Sequence, residues 1–150
     1  MMERPAVLIT GSARRLGAAI ARALHADGHD VAIHCHASRE AADALAAELE
    51  GRRAGSTVVL QADLSAFDRL PELVAHAVGR FGRLDALVNN ASAFFPTPVG
   101  QATPDQWDAL FNANARAPFF LAQVRRRGAR SSTWPTSTPN ARCASTRCTA

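Results

Sequence analysis

The chain has 150 residues, 47% of them hydrophobic, and a formal charge of +4. That length suits one domain with a real core, and three scattered cysteines (Cys35, Cys143 and Cys148) exclude a disulfide scaffold. No apolar run approaches the ~20 residues of a membrane span. A strand begins so close to Met1 that no signal peptide is expected, which makes the cytoplasm the expected location.

The charge is lopsided. Residues 1–124 hold eleven Arg against thirteen Asp plus Glu, a net −2, whereas residues 125–150 hold six Arg and no acid, a net +6. The basic balance therefore belongs to the tail alone. Such a tail could bind nucleic acid or anionic lipid. Neither partner is expected here, because the tail reads as unselected sequence for the reason given below.

The first 124 residues alternate between strand and helix patterns, as a parallel sheet flanked by helices requires. Ala6-Val7-Leu8-Ile9 is a short apolar run and reads as a buried strand. Leu16, Ile20 and Leu24 recur every four residues, so a helix follows and ends near Gly28. Asp30 to Cys35 is the second strand. Ala42, Leu45 and Leu49 mark a second helix, closed by Gly51. Thr57 to Gln61 is the third strand. Leu70, Leu73, Val74, Ala77 and Val78 form a third helix with Pro71 in its first turn. Ala86 to Asn89 is the fourth strand. Thr103-Pro104-Asp105-Gln106 combines an N-cap, a first-turn proline and a capping-box Gln. The single helix it opens carries Trp107, Leu110, Phe111 and Asn114 on one face. Right-handed crossovers make 3-2-1-4 the natural strand order.

The loop after the first strand carries the chemistry. Gly11 permits a tight turn and Gly17 lets the new helix pack closely. The helix amino end would present its N–H groups and dipole to a pyrophosphate. Arg15 stands where the central glycine of such loops is usual. The plainer reading is an ordinary strand–helix turn, but the loop's place in an alternating chain favours a dinucleotide site. The second strand ends in His34-Cys35-His36-Ala37-Ser38-Arg39, with no acid before Glu40 to hold a ribose 2′-hydroxyl. Ser38, Arg39 and Arg14, beside His36, could instead hold a 2′-phosphate, which points to NADPH. Ser38 also reads as the cap of the second helix. His34, Cys35 and His36 alternate across a strand and cannot converge on a metal.

Thr10-Gly11-Ser12-Ala13-Arg14-Arg15-Leu16-Gly17, Ala62-Asp63-Leu64-Ser65, Asn89-Asn90-Ala91 and Asn112-Ala113-Asn114 together resemble the short-chain dehydrogenase/reductase family. The resemblance spans residues 5–124 and implies an incomplete Rossmann-like doubly wound sheet of about four strands. It implies cofactor contacts from Gly11, Ser12, Arg14, Arg15, Leu16, Gly17, His36, Ser38 and Arg39. Asp63 and Leu64 would bracket the adenine, and Asn90, Ala91 and Ser92 would lie along the cofactor. It also implies that Asn114 is the helical catalytic asparagine, which in relatives holds a proton-relaying water. The alternative is that Asn114 only kinks or caps its helix. Arg15 and Asn89-Asn90-Ala91-Ser92-Ala93-Phe94-Phe95-Pro96 are similar to the pteridine reductases. That likeness implies a pterin or folate-like substrate, with Phe94 stacking on its ring and Ser92 and Arg15 bonding its polar edge. Core packing is the plainer role for Phe94 and Phe95. The intact relative would be a homo-oligomer.

The family's chemistry needs a Tyr-x-x-x-Lys pair, and this sequence has neither Tyr nor Lys. After Val124 the pattern changes to Ser, Thr, Pro and Arg, with no Leu, Ile, Val or Phe from residue 125 onward. Such a segment buries too little to order itself and is expected to be an irregular, disordered tail. Read one base back, residues 130–150 permit Ala-Ile-Val-Asn-Met-Ala-Asp-Ile-His-Ala-Glu-Arg-Pro-Leu-Arg-x-Tyr-x-Val-Tyr-Ser. That string resembles a fifth strand followed by the catalytic Asp and Tyr of a pteridine reductase. The tail is therefore expected to be frameshifted, with a natural disordered tail as the alternative. The resulting expectation is a truncated, cofactor-binding fragment without turnover. A non-catalytic binding module, an unstable fragment and a ketoacyl-type reductase are the competing readings.

Overall fold

The computed structural model describes residues 4–128. Strands β1 (Ala6–Ile9), β2 (Asp30–Cys35), β3 (Thr57–Gln61) and β4 (Ala86–Val88) form one parallel sheet in the order β3-β2-β1-β4. Helices α1 (Arg15–Ala26), α2 (Arg39–Arg52) and α3 (Leu70–Phe81) make the crossovers. A helical run then follows β4: α4 (Pro104–Phe111), a π-helical segment at Asn112–Arg116, and α5 (Ala117–Gly128). The expected Rossmann-like architecture and strand order are both present.

The sheet is apolar on both faces because both are covered. Val7, Ile9, Val31, Ile33 and Cys35 point to one side and pack on α1 and α2 through Ala18, Ala21, Ala42, Leu45 and Leu49. Leu8 and Ala32 point to the other side, where Leu70, Leu73, Val74, Ala77 and Leu121 cover them. Every residue of β1 has zero exposure, as expected for a central strand covered on both faces.

Polar groups fix the amino ends of the strands. The Asp85 carboxylate accepts from the Ala6 amide at 2.8 Å and from Arg83 at 2.6 and 2.7 Å. The Arg83 bond leads in holding that carboxyl below its ordinary range. Arg125 reaches back from α5 to the Asp85 carbonyl.

Four boundaries differ from the sequence reading. Strand β4 stops at Val88, one residue short of the expected Asn89. Helix α2 runs through Gly51 to Arg52, because the left-handed residue of that turn is Gly55, at φ +74°. The Glu50 carboxylate closes the turn by accepting from the amides of Gly55 and Thr57. Helix α5 extends past Val124 to Gly128, since loss of apolar side chains ends core packing without ending the backbone helix. The helix opened by Thr103 is not continuous. Pro118 has no N–H for the carbonyl four residues back, that of Asn114, so the α register gives way to π there. The Thr103–Gln106 capping box forms as read. The remainder of the tail, including Cys143, Cys148 and the expected frameshift, lies outside the described residues.

Candidate functional site

The site grows from the turn between β1 and α1. Gly11 lies at φ +61°, and a Cβ there would come within 2.9 Å of Ala91 Cα. Gly17 is tighter. A Cβ would sit 2.5 Å from the Gly11 carbonyl oxygen and 2.6 Å from the Asn90 side-chain nitrogen. Helix α1 therefore meets the ends of β1 and β4 at closest approach. Its N-cap Arg14 accepts no side-chain bond, and its first turn holds no acid. Arg15, in place of the usual glycine, keeps a left-handed φ of +50°, a conformation costing about 1–2 kcal/mol for a residue with a Cβ.

The ends of β1 and β4 are joined by two side chains. Thr10 Oγ1 accepts from the amides of Asn90 and Ala91, both at 3.0 Å. The Asn90 side-chain amide donates back to the carbonyls of Thr10 and Gly11, again at 3.0 Å each. Ser12 is fully buried. Its hydroxyl donates to the Ile9 carbonyl at 2.8 Å and accepts from the His34 amide at 3.1 Å. Ser12 thus secures the loop from within, its hydroxyl engaged on both sides.

A cavity of about 830 Å³ opens at the carboxyl ends of the strands, a volume typical of ligand sites. It brings together Gly11, Arg14, Arg15, Leu16 and Gly17 with His36, Asp63 and Leu64, and with Asn90, Ala91 and Ser92. Helix α4 and the π segment close the far side through Ala109, Asn112 and Ala113. Five expected residues are not on this wall. They are Ser12, Ser38, Arg39, Phe94 and Asn114. Ser38 occupies the N-cap position of α2, but its hydroxyl makes no capping bond. Arg39 Nε bonds both carboxylate oxygens of Asp43, at 2.9 and 3.0 Å. Phe94 is 89% exposed, which removes the core-packing alternative for that ring.

Asn114 lies in the π segment, where its side chain grips a peptide unit. Its Oδ1 accepts from the Ala93 amide at 3.0 Å and its Nδ2 donates to the Ala93 carbonyl at 2.8 Å. The segment after β4 is thereby tied to the helical run. Asp63 turns its carboxylate onto the Ser65 amide and hydroxyl, both at 2.8 Å. Those bonds hold it below the ordinary carboxylate range.

Three positioning residues escaped the sequence reading. Thr10 had a signal, being the one polar residue between an apolar strand and Gly11. Pro118 had one too, as a proline inside a helical pattern. His34 had none, since its partners are backbone atoms far away in the chain. The assembled wall combines a glycine cradle, an uncapped helix amino end, two arginines and two histidines. Chemically it suits an elongated, phosphate-bearing ligand.

A family model described as short chain dehydrogenase matches residues 5–127. Pteridine reductase 1 of Leishmania tarentolae is 40% identical across 80% of this chain and 52% of its own length. Versicolorin reductase stcU of Emericella nidulans is 35% identical across 81% of this chain and 46% of its own. The 3-oxoacyl-acyl-carrier-protein reductase FabG of Staphylococcus aureus is 30% identical, covering 82% and 50%. The chain spans about half the length of these curated relatives.

Proposed function

The chain belongs to the short-chain dehydrogenase family, and from that membership we propose that residues 5–124 are the cofactor-binding part of an NADPH-dependent reductase of the pteridine type. The observation that carries this reading is the cavity wall on which Arg14, Arg15 and the uncapped amino end of α1 face Ser92 and Asn90-Ala91. A dinucleotide fits that wall: phosphates at the glycine cradle and α1, adenine towards Asp63 and Leu64, nicotinamide along Asn90 to Ser92. When bound, the nicotinamide supplies hydride.

The preference for NADPH rests on the end of β2. His36 lies on the wall, and Ser38 and Arg39 follow with no carboxylate between them and Cys35. Arg39 is paired with Asp43, both about half exposed. Such a surface pair is worth only ~0–1 kcal/mol, so a 2′-phosphate could recruit the guanidinium at little cost. The pterin-type substrate rests on Arg15 and Ser92 at the nicotinamide end, with Phe94, two residues beyond Ser92 and outside the wall itself, exposed for a flat ring to cover. The 40% identity to a pteridine reductase points the same way. A ketoacyl-type reductase is the second reading, favoured by the FabG likeness.

The chain should bind without turnover, because no Tyr or Lys stands ready to deliver the proton that accompanies hydride. The out-of-phase tail explains that lack, and sequencing the encoding DNA across residues 125–150 tests it. An intact frame there would remove the explanation. For the site, cofactor fluorescence should show NADPH binding at least about tenfold tighter than NADH, the equivalent of ~1.4 kcal/mol. Equal affinities would overturn the 2′-phosphate assignment. NADPH oxidation with added biopterin would overturn the absence of turnover.

A further inference from the structure

We infer that His34 is a positioning residue: a neutral imidazole, protonated on Nε2, that ties the phosphate loop to the loop after β3 and makes cofactor affinity fall on acidification. The inference rests on the cofactor reading above but concerns a residue that reading does not use.

The His34 ring lies at the end of β2, on the floor of the cavity and almost wholly buried. Its Nδ1 accepts from the Gly11 amide at 3.1 Å. A nitrogen that accepts an N–H carries no proton, so in the neutral ring the proton is on Nε2. That nitrogen stands 3.1 Å from the Ala62 carbonyl, which can only accept. Both contacts therefore select the same tautomer. The backbone repeats the tie, since the Ser12 amide donates to the His34 carbonyl at 2.9 Å. One side chain thus connects residues 11 and 62, the starts of the two loops that form opposite walls of the cavity. The Gly11 amide, already engaged, is unavailable to a phosphate, which leaves that task to α1.

Protonation would reverse the Nδ1 contact. The ring would then present N–H to N–H at Gly11, and no carboxylate among the described residues bonds to it in compensation. Of the charged groups on the surrounding elements, Arg14 and Arg15 at the start of α1 and His36 beyond β2 add positive charge. Asp63 has its carboxylate turned onto Ser65. Burial is the chief influence pushing the His34 imidazolium below its ordinary range, and His36 adds to it against the Ala62 bond. With the folded value depressed, the tie is fully present above the unfolded value near about 6.5 and is lost as pH falls through the folded one.

The test uses the full chain with 15N-labelled histidine and backbone. Near pH 7.5, His34 Nδ1 should be unprotonated, Nε2 protonated, and the Gly11 amide protected from exchange. Lowering the pH to about 5 should reduce the Gly11 protection factor by at least about tenfold. In His34→Asn, whose Oδ1 can accept from Gly11 but does not titrate, it should change by less than about twofold. NADP+ affinity, measured by calorimetry, should fall more steeply with acid in the wild type than in His34→Asn. Every titratable group other than residue 34 is common to both proteins, so the difference belongs to His34. A proton found on Nδ1 near pH 7.5, or Gly11 protection indifferent to pH, overturns the inference. Those spectra of the wild type decide even where His34→Asn does not fold. NADP+ binding with superimposable pH profiles overturns the positioning role and spares the cofactor reading. A folded chain that binds no NADP+ at pH 7.5 overturns both.

Discussion

Replacing Gly17 by alanine adds one methyl group at the narrowest point of the molecule. That methyl would lie 2.5 Å from the Gly11 carbonyl oxygen, 2.6 Å from Asn90 Nδ2 and 2.7 Å from Ser12 Cα. Two of the three atoms belong to backbone, so the loop or the helix must move. Overpacking of this kind costs about 1–3 kcal/mol. Displacing the Asn90 amide also breaks its bonds to Thr10 and Gly11, each worth ~1 kcal/mol net. The expected loss is therefore about 3–5 kcal/mol, a large share of the ~5–15 kcal/mol that holds a domain together. Urea unfolding followed by circular dichroism measures it. Gly79→Ala is the control, because a Cβ there meets nothing within 4 Å. Inside α3 it should stabilise by up to ~1 kcal/mol. The double variant Gly17→Ala, Asn90→Ala should lose less than the two single losses combined, since the amide that clashes is gone. A Gly17→Ala loss below about 1 kcal/mol, or strictly additive losses, would refute the close-approach argument.

Three other outcomes follow from the same geometry. Thr10→Val strands the amides of Asn90 and Ala91 and should cost ~2–4 kcal/mol, whereas Thr10→Ser, which keeps the acceptor, should cost far less; denaturant titration separates them. Asp85→Asn should destabilise by about 1 kcal/mol near pH 7, a modest figure because the carboxylate is about one-third exposed. Its folded value is depressed, so the stability it adds is present above the unfolded value near ~3.9 and vanishes as pH falls through the folded one. Thermal melts of both proteins should converge in acid. Trp107 and Phe111 stack at 5.6 Å while 66% and 54% exposed. Trp107→Glu should reduce self-association in sedimentation at high concentration and change the unfolding free energy by less than ~0.5 kcal/mol.

The strands were legible because each is a short apolar run bounded by turn residues, and the crossover rule left one natural order for them. Gly11 and Gly17 were legible because close approach of backbones is a property glycine announces. What stayed hidden was long-range and polar. Nothing in the loop motif signals that the Ser12 hydroxyl is buried between the Ile9 carbonyl and the His34 amide. His34 reads only as part of a His34-Cys35-His36 run that cannot converge on a metal, until Gly11 and Ala62 are seen on either side of its ring. The break at Asn112–Arg116 was written in Pro118, but helical periodicity on either side of it masked the signal.

The contacts between Thr10 and Asn90 span 80 residues of chain. Pairing of β1 with β4 spans a similar distance, Val7 lying opposite Ala86. Loops of that size close slowly compared with the β1–β2 hop. During synthesis, β1 and β2 can meet while the third helix is still being made. The join between the ends of β1 and β4 closes only after Asn90 has cleared the ribosome. A nascent chain paused before that point would hold a finished first crossover and an open seam along β1, where an unrelated strand could insert.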